Sequence, residues 1–224
     1  MRATVAYRLP KADRATTFAA MVRVKICGIT TVADAELCAS AGADAIGLNF
    51  FAGSPRCVDA DTARAIVAAV AGRVLSVGVF VDAGYDAIAE LRDYCGLGCV
   101  QLHGGEPPEL LARFLPHAYK AVRVRGPESL AEARAFGGEH VLLDAYVPGV
   151  AGGTGARFDW SLAAELARER KVTLAGGLHE RNVVEAIAAV RPYCVDVASG
   201  VESAPGRKDE RKVRAFIAAA KPAA

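Results

Sequence analysis

Two groups in this sequence are well placed to move protons. Cys27 closes the charged and β-branched run V-R-V-K-I-C within V-R-V-K-I-C-G-I-T-T (22–31), and Asp144 closes V-L-L-D (141–144). A thiolate can take a proton and a protonated carboxyl can give one, so the two would form a base and acid pair. Each also has a plainer reading. An unpaired cysteine often serves as a small buried hydrophobe, and Asp144 could simply cap the turn before Tyr146. For Cys27 to act as a base its thiolate must be accessible, which Lys25 or a helix N-terminus could assist.

Other groups suit anion binding. Two apolar runs end in glycine-containing loops, A-G-G-L (175–178) and A-S-G-V (198–201). Glycines let backbone N–H groups approach an anion, and a following helix N-terminus adds a favourable dipole. Either loop alone could be no more than a tight turn. On neighbouring strands they predict a phosphate site of Gly176, Gly177, Ser199 and Gly200. Arg56, behind the stiffening Pro55, offers a fork for a carboxylate, against the reading of a solvated loop arginine. His103 either contacts substrate or caps Gly104-Gly105. Asp82, Arg123 and Arg125 read as loop or salt-bridge residues.

These groups need a scaffold that brings run ends together. Apolar segments fall at Arg23–Ile26, Ala45–Phe50, Val74–Val81, Gly98–Leu102, Ala118–Val124, His140–Asp144, Val172–Ala175 and Cys194–Ala198. They are nearly continuous in Val, Ile, Leu and Ala, as strands covered on both faces require. Between them lie amphipathic segments. Thr31 and Asp34 have the shape of a capping box, Asp61 precedes Ile66 and Val70, and Tyr85–Tyr94 carries Ile88 and Leu91. Pro107-Pro108 opens a helix carrying Leu110, Leu111, Phe114 and Leu115, and Pro127 another with Leu130, Ala133 and Phe136. Further apolar spacings surround Trp160, Val183 and Val213. Eight strands alternating with eight helices predict a single-domain α/β fold, a parallel (β/α)8 TIM barrel, whose working groups stand at the carboxyl ends of the strands. An open doubly wound sheet would usually carry a G-x-G-x-x-G turn after its first strand, and C-G-I-T (27–30) is not one.

Size and charge narrow the function. At 224 residues with 53% hydrophobic residues, one barrel with a sizeable core fits better than two small domains. Net charge is +2, and residues 1–20 carry +3 of it, leaving a nearly neutral remainder. Such a body gives no electrostatic reason to bind nucleic acid or membrane. No apolar run approaches the roughly 18–20 residues that span a bilayer. Six dispersed cysteines form no disulfide framework, and Cys95 and Cys99 lack a second pair at zinc spacing, so reduced thiols, a cytoplasmic location and no metal are expected. Residues 1–20 read as a poorly packed or mis-assigned extension, with the fold starting at Met21.

Taken in order, V-K-I-C-G-I-T (24–30), G-L-N-F-F-A-G-S-P-R (47–56), V-G-V-F-V-D (77–82), V-Q-L-H-G-G-E (100–106), L-L-D-A (142–145), G-G-T-G-A-R-F-D-W (152–160), L-A-G-G-L (174–178), V-D-V-A-S-G-V-E (195–202) and P-G-R-K-D (205–209) resemble the phosphoribosylanthranilate isomerase family of tryptophan biosynthesis. The resemblance covers the chain from about Met21 onward. It implies Cys27 as general base, Asp144 as general acid and Arg56 as the contact for the substrate carboxylate. It also implies phosphate contacts at Gly176, Gly177, Ser199 and Gly200, and Asp196 reaching a sugar hydroxyl. Gly152, Gly153 and Gly155 would belong to a mobile loop over the substrate. The implied reaction is an Amadori rearrangement of a phosphoribosylated anthranilate, needing an acid and a base but no cofactor. A small phosphorylated substrate is the expected partner, and a monomer and a homodimer fit equally. Rivals are the aldosylamine isomerase of histidine biosynthesis, which uses aspartate where Cys27 stands, a metal-dependent sugar-phosphate epimerase, for which four histidines are too few, and a non-catalytic phosphate-binding barrel.

Overall fold

Runs of small and β-branched residues, cut by glycine, aspartate or asparagine, form eight strands. They are β1 (Arg23–Cys27), β2 (Ala45–Asn49), β3 (Leu75–Phe80), β4 (Cys99–Leu102), β5 (Ala118–Arg123), β6 (His140–Asp144), β7 (Lys171–Ala175) and β8 (Cys194–Val197). All pair in parallel, each with its sequence neighbour, and β1 returns to β8 to close the barrel. The computed structural model describes residues 22–144 and 160–222. The expectations for residues 1–20 and for Gly152, Gly153 and Gly155 lie outside the described residues.

Helices α1 (Val32–Ala41), α2 (Ala60–Ala69), α3 (Tyr85–Cys95), α4 (Pro108–Ala112), α5 (Glu128–Ala135), α6 (Trp160–Ala167), α7 (Val183–Val190) and α8 (Glu210–Ala220) cover the outside. Thr31 caps α1 as its spacing predicts, accepting a hydrogen bond from the Asp34 N–H at 3.1 Å. The cap of α2 is Asp59, which accepts from the Thr62 N–H at 2.8 Å, and Asp61 falls within the first turn. Helix α4 is shorter than its apolar spacing suggests; Phe114 and Leu115 follow it in a turn. Strand bounds agree with the sequence reading to within one residue.

Alternation along each strand divides two cores. Val24, Ile26, Ile46, Leu48, Val195 and Val197 are buried outward against the helices. The barrel interior holds a smaller cluster of Ala45, Val77, Tyr119, Ala121, Leu142 and Ala175. Its polar members are Lys25, Gln101, Thr173 and Asp196, all buried. A short hairpin, β9 (Glu202–Ala204) and β10 (Arg207–Lys208), follows β8 outside the barrel sheet. Among the described residues no helix is long and apolar enough to cross a membrane.

Candidate active site

A strand's period of two puts Lys25 and Cys27 on the inward face of β1, Gln101 and His103 on that of the β4 line, and Leu142 and Asp144 on that of β6. The last residue of each set stands at the carboxyl end of the barrel. Asp144 ends a strand three places from β1 by way of β8 and β7.

Lys25 Nζ meets Asp196 Oδ2 at 3.0 Å, in register across β1 and β8, with both side chains almost wholly enclosed. Its charge also acts on the Cys27 thiol, which lies on the same side of Gly47. Gly47, opposite Cys27 on β2, makes the room. A Cβ there would stand 2.7 Å from Cys27 Sγ and 3.1 Å from Lys25 Nζ. Burial would depress the Lys25 ammonium, but Asp196, Cys27 and Tyr119 outweigh it and hold it well above the ordinary lysine range. Burial raises the Cys27 thiol, Lys25 pulls it down, Asp196 pushes it up and Lys208 pulls it down again; the balance stays raised. Cys27 is thus a thiol whose conjugate base is strong and has a fixed cation beside it. Asp196 keeps one oxygen, Oδ1, without a hydrogen-bond partner among the described residues.

Arg56 is not a solvated loop arginine. Its Nε donates to Glu202 Oε1 at 2.8 Å and its NH2 to Oε2 at 2.7 Å. Hydrogen bonding to Glu202 raises the guanidinium, and although burial pushes the Glu202 carboxyl up, Arg56 and Lys208 hold it below the usual range. Lys208 Nζ, fully enclosed, donates to Glu202 Oε1 at 2.8 Å, to the Cys27 carbonyl at 2.6 Å and to the Ala198 carbonyl at 3.4 Å. The hairpin therefore fastens Arg56 and the ends of β1 and β8 together. Glu202 and Lys208 were not singled out from the sequence; the turn dipeptide Pro205-Gly206 between them was the available signal.

His103 does not cap the Gly104-Gly105 turn. That turn is held by Glu106, which accepts from the Gly104 N–H at 2.9 Å, and by Asp82, which accepts from the Gly105 N–H at 2.6 Å. Glu106 is in turn paired with Lys120 at 2.6 Å in an enclosed ion pair. Asp82 is a loop-building residue, as its position suggests. His103 instead points Nε2 at Asp144 Oδ2, 3.3 Å away, while Gln101 Nε2 stands 3.2 Å from its Nδ1. The 3.3 Å approach is not aligned as a hydrogen bond, and Nε2 has no hydrogen-bond partner among the described residues.

After β7 the chain takes positive φ at Gly176 (93°) and Gly177 (64°), a conformation that side chains rarely adopt. Asn182 Nδ2 donates to the Gly177 carbonyl at 3.0 Å, fixing the loop, and the space beside Gly177 is open. Ser199 and Gly200 begin a single 3-10 turn after β8. A Cβ on Gly200 would overlap the Leu178 carbonyl, so the two predicted anion loops pack backbone to backbone. Residues 176–177 and 199–200 thus stand side by side at one edge of the barrel mouth.

Comparison with known proteins identifies the family. Residues 24–219 match the family model described as N-(5'phosphoribosyl)anthranilate (PRA) isomerase. The N-(5'-phosphoribosyl)anthranilate isomerase of Geobacter sp. (strain M21) is 50% identical over 201 residues, covering 90% of this chain and 98% of the relative. That of Myxococcus xanthus is 51% identical over 205 residues, covering 89% and 96%. The crystal structure of phosphoribosyl anthranilate isomerase from Thermotoga maritima superposes with a TM-score of 0.83 at 41% identity, covering 89% of this chain and 98% of that one. A second structure of such an isomerase, in complex with reduced 1-(o-carboxyphenylamino)-1-deoxyribulose 5-phosphate, gives 0.79 at 40% identity, covering 89% and 98%. With the barrel closed, the motifs in order and this length of match, the chain belongs to the N-(5'-phosphoribosyl)anthranilate isomerase family.

Proposed function

We infer that this chain isomerises N-(5-phosphoribosyl)anthranilate to 1-(2-carboxyphenylamino)-1-deoxyribulose 5-phosphate, a step of tryptophan biosynthesis. The observation that carries the assignment of roles is the enclosed Lys25–Asp196 pair with the half-buried Cys27 thiol beside it, on the same barrel face as Asp144.

The phosphate lies against the amides of Gly176, Gly177, Ser199 and Gly200, and the carboxylate against the remaining donors of Arg56. Two anchored ends hold the central carbons between thiol and carboxyl, which replaces a large entropic cost of alignment. Protonated Asp144 gives its proton to the ribose ring oxygen. The C1–O bond breaks, and the electron pair on nitrogen forms the iminium. The Cys27 thiolate then removes the proton from C2, and the electrons flow back to nitrogen to give an enolamine. Loss of the hydroxyl proton and protonation at C1 yield the ketone, with no net change in atoms or electrons. The Lys25 ammonium stabilises the thiolate, and the unpartnered Asp196 Oδ1 accepts from a sugar hydroxyl.

The six cysteines are all free, which fits a reducing compartment, and we place the protein in the cytoplasm. The test is turnover of freshly prepared phosphoribosylanthranilate, followed by loss of its fluorescence, in the parent, Cys27→Ser and Asp144→Asn. Activity in the parent and a fall in kcat of about 10²-fold or more in each folded variant are expected. An active parent with an unaffected Cys27→Ser overturns the role of the thiol. A folded but inactive parent overturns the reaction.

A further inference from the structure

Three inward side chains on neighbouring strands form a line that ends on the carboxyl of Asp144. Tyr119 OH, on β5, stands 2.9 Å from Gln101 Oε1, on β4. Gln101 Nε2 stands 3.2 Å from His103 Nδ1, and His103 Nε2 stands 3.3 Å from Asp144 Oδ2. Tyr119 and Gln101 are buried, at 3% and 1% exposure, so water does not supply alternative partners for them.

The chemistry of each group fixes the direction of the line. An amide nitrogen can only donate, so a Gln101 held in this orientation requires His103 Nδ1 to accept. A neutral imidazole that accepts at Nδ1 carries its proton on Nε2, the atom facing Asp144. The amide orientation depends in turn on Tyr119. Tyr119 donates its O–H to Gln101 Oε1, which leaves the amide nitrogen of Gln101 facing His103. The reverse orientation would put Gln101 Oε1 against Nδ1 and strip Nε2 of its proton or make the ring a cation.

We propose that Tyr119, Gln101 and His103 are positioning residues that hold an Nε2–H against Asp144 Oδ2 and so leave the proton of this acid on Oδ1. This rests on the assignment of Asp144 as general acid. One N–H then acts at both ends of the proton transfer. Before it, the N–H facing Oδ2 disfavours a proton on that oxygen, so the transferable proton stays on Oδ1. After it, the same N–H is aimed at the new carboxylate. The loose 3.3 Å approach suits a contact that tightens as the charge develops. Charged groups on the surrounding elements are Lys120 with Glu106 on the β5 and β4 sides, Asp82 after β3, Arg123 in register with Asp144, and Lys25 with Asp196 across the barrel.

The sequence left His103 as either a substrate contact or a cap of Gly104-Gly105, and kinetics separate substrate contact from positioning. His103→Leu, checked for folding, is expected to lower kcat roughly 10- to 100-fold with KM within about twofold. His103→Gln, which restores an N–H near the position of Nε2, should recover most of that loss. A raised KM with unchanged kcat in His103→Leu overturns the proposal in favour of substrate contact. The tautomer is read separately from ring ¹⁵N shifts of the uncomplexed protein, with His103 assigned by its absence in His103→Leu. The parent is expected to show neutral His103 protonated at Nε2, and Gln101→Leu or Tyr119→Phe to lose that preference. A parent protonated at Nδ1, or a ring indifferent to both variants, overturns the relay. Because the spectra need no turnover, failure of the relay and failure of the assigned reaction are distinguishable.

Discussion

Arg56 and Glu202 meet fork to fork, Nε to Oε1 at 2.8 Å and NH2 to Oε2 at 2.7 Å, although 146 residues separate them. Half of the guanidinium is thereby fixed, and the other half is the part that we propose takes the substrate carboxylate. Glu202 is itself held by Lys208, so Arg56 enters binding already oriented. Glu202→Gln keeps the shape but weakens the fork and leaves Lys208 without its anion. We expect KM for the phosphoribosylated substrate to rise about tenfold and kcat to change little, the pattern of lost uniform binding. An unchanged KM, with only thermal stability lowered, would show that the pair serves the hairpin alone.

Lys25 sits between Asp196 and Cys27, so its removal has two separable effects. Lys25→Met alone strands a buried carboxylate, a loss of about 3–5 kcal/mol. Lys25→Met/Asp196→Asn removes both charges and should recover most of the stability. Thiol chemistry should not recover, because Lys25 lowers the Cys27 thiol more than Asp196 raises it. The pH dependence of Cys27 alkylation is expected to move to higher pH in the double variant, with kcat at neutral pH reduced. A midpoint that stays in place would mean that Lys25 does not stabilise the thiolate.

The strands were legible because each is a continuous apolar run closed by a polar residue, and their order then dictated the ring of candidates at the mouth. The two glycine loops at the mouth were legible as tight backbone for a similar reason: Gly176, Gly177 and Gly200 stand where backbone must turn or touch backbone. Partners were not legible. Nothing local in S-P-R ties Arg56 to Glu202, and nothing in Q-L-H-G-G distinguishes a histidine that caps its own glycines from one aimed at the end of β6. Those choices depend on barrel closure and on register, which bring residues far apart in sequence to one rim. The α2 cap, Asp59, is a smaller case, since two aspartates in D-A-D (59–61) compete for one turn.

Gly47 and Gly200 are both needed for close approach, but their substitutions should fail differently. A Cβ on Gly47 presses hardest on Cys27 Sγ, which can rotate away, and only lightly on Lys25 Nζ and the Cys27 Cα, at 3.1 and 3.2 Å. Gly47→Ala should therefore stay folded, losing about 1–3 kcal/mol, while the displaced thiol costs kcat about 10²-fold. A Cβ on Gly200 presses on the Leu178 backbone carbonyl, which cannot rotate away. Gly200→Ala should separate the two anion loops and show mainly in KM and in the affinity for inorganic phosphate, measured by calorimetry. Equal effects of the two substitutions on phosphate affinity would contradict this division.

His140 gives the fold an acid-sensitive point away from the barrel mouth. Its ring, at the start of β6, lies 4.2 Å from the Tyr119 ring and 5.6 Å from the Tyr193 ring, centroid to centroid, with Nε2 2.6 Å from Thr173 Oγ1. Burial, followed by the charges of Lys171, Lys25 and Arg170, pushes it down to about 3. In the unfolded chain the same ring titrates near its usual value of about 6.5. Above that pH it is neutral in both states and contributes no pH dependence. As pH falls from about 6.5 towards 3 the unfolded chain takes up a proton that the folded chain refuses, so stability falls by at most about 1.4 kcal/mol per pH unit from this group. Below about 3 the folded ring also protonates and the slope from His140 ends. Urea unfolding at a series of pH values should therefore show a shallower loss between pH 6 and 4 in His140→Gln than in the parent. Parallel curves would place the acid sensitivity of the fold in its ion pairs, such as Lys120–Glu106, and not in this ring.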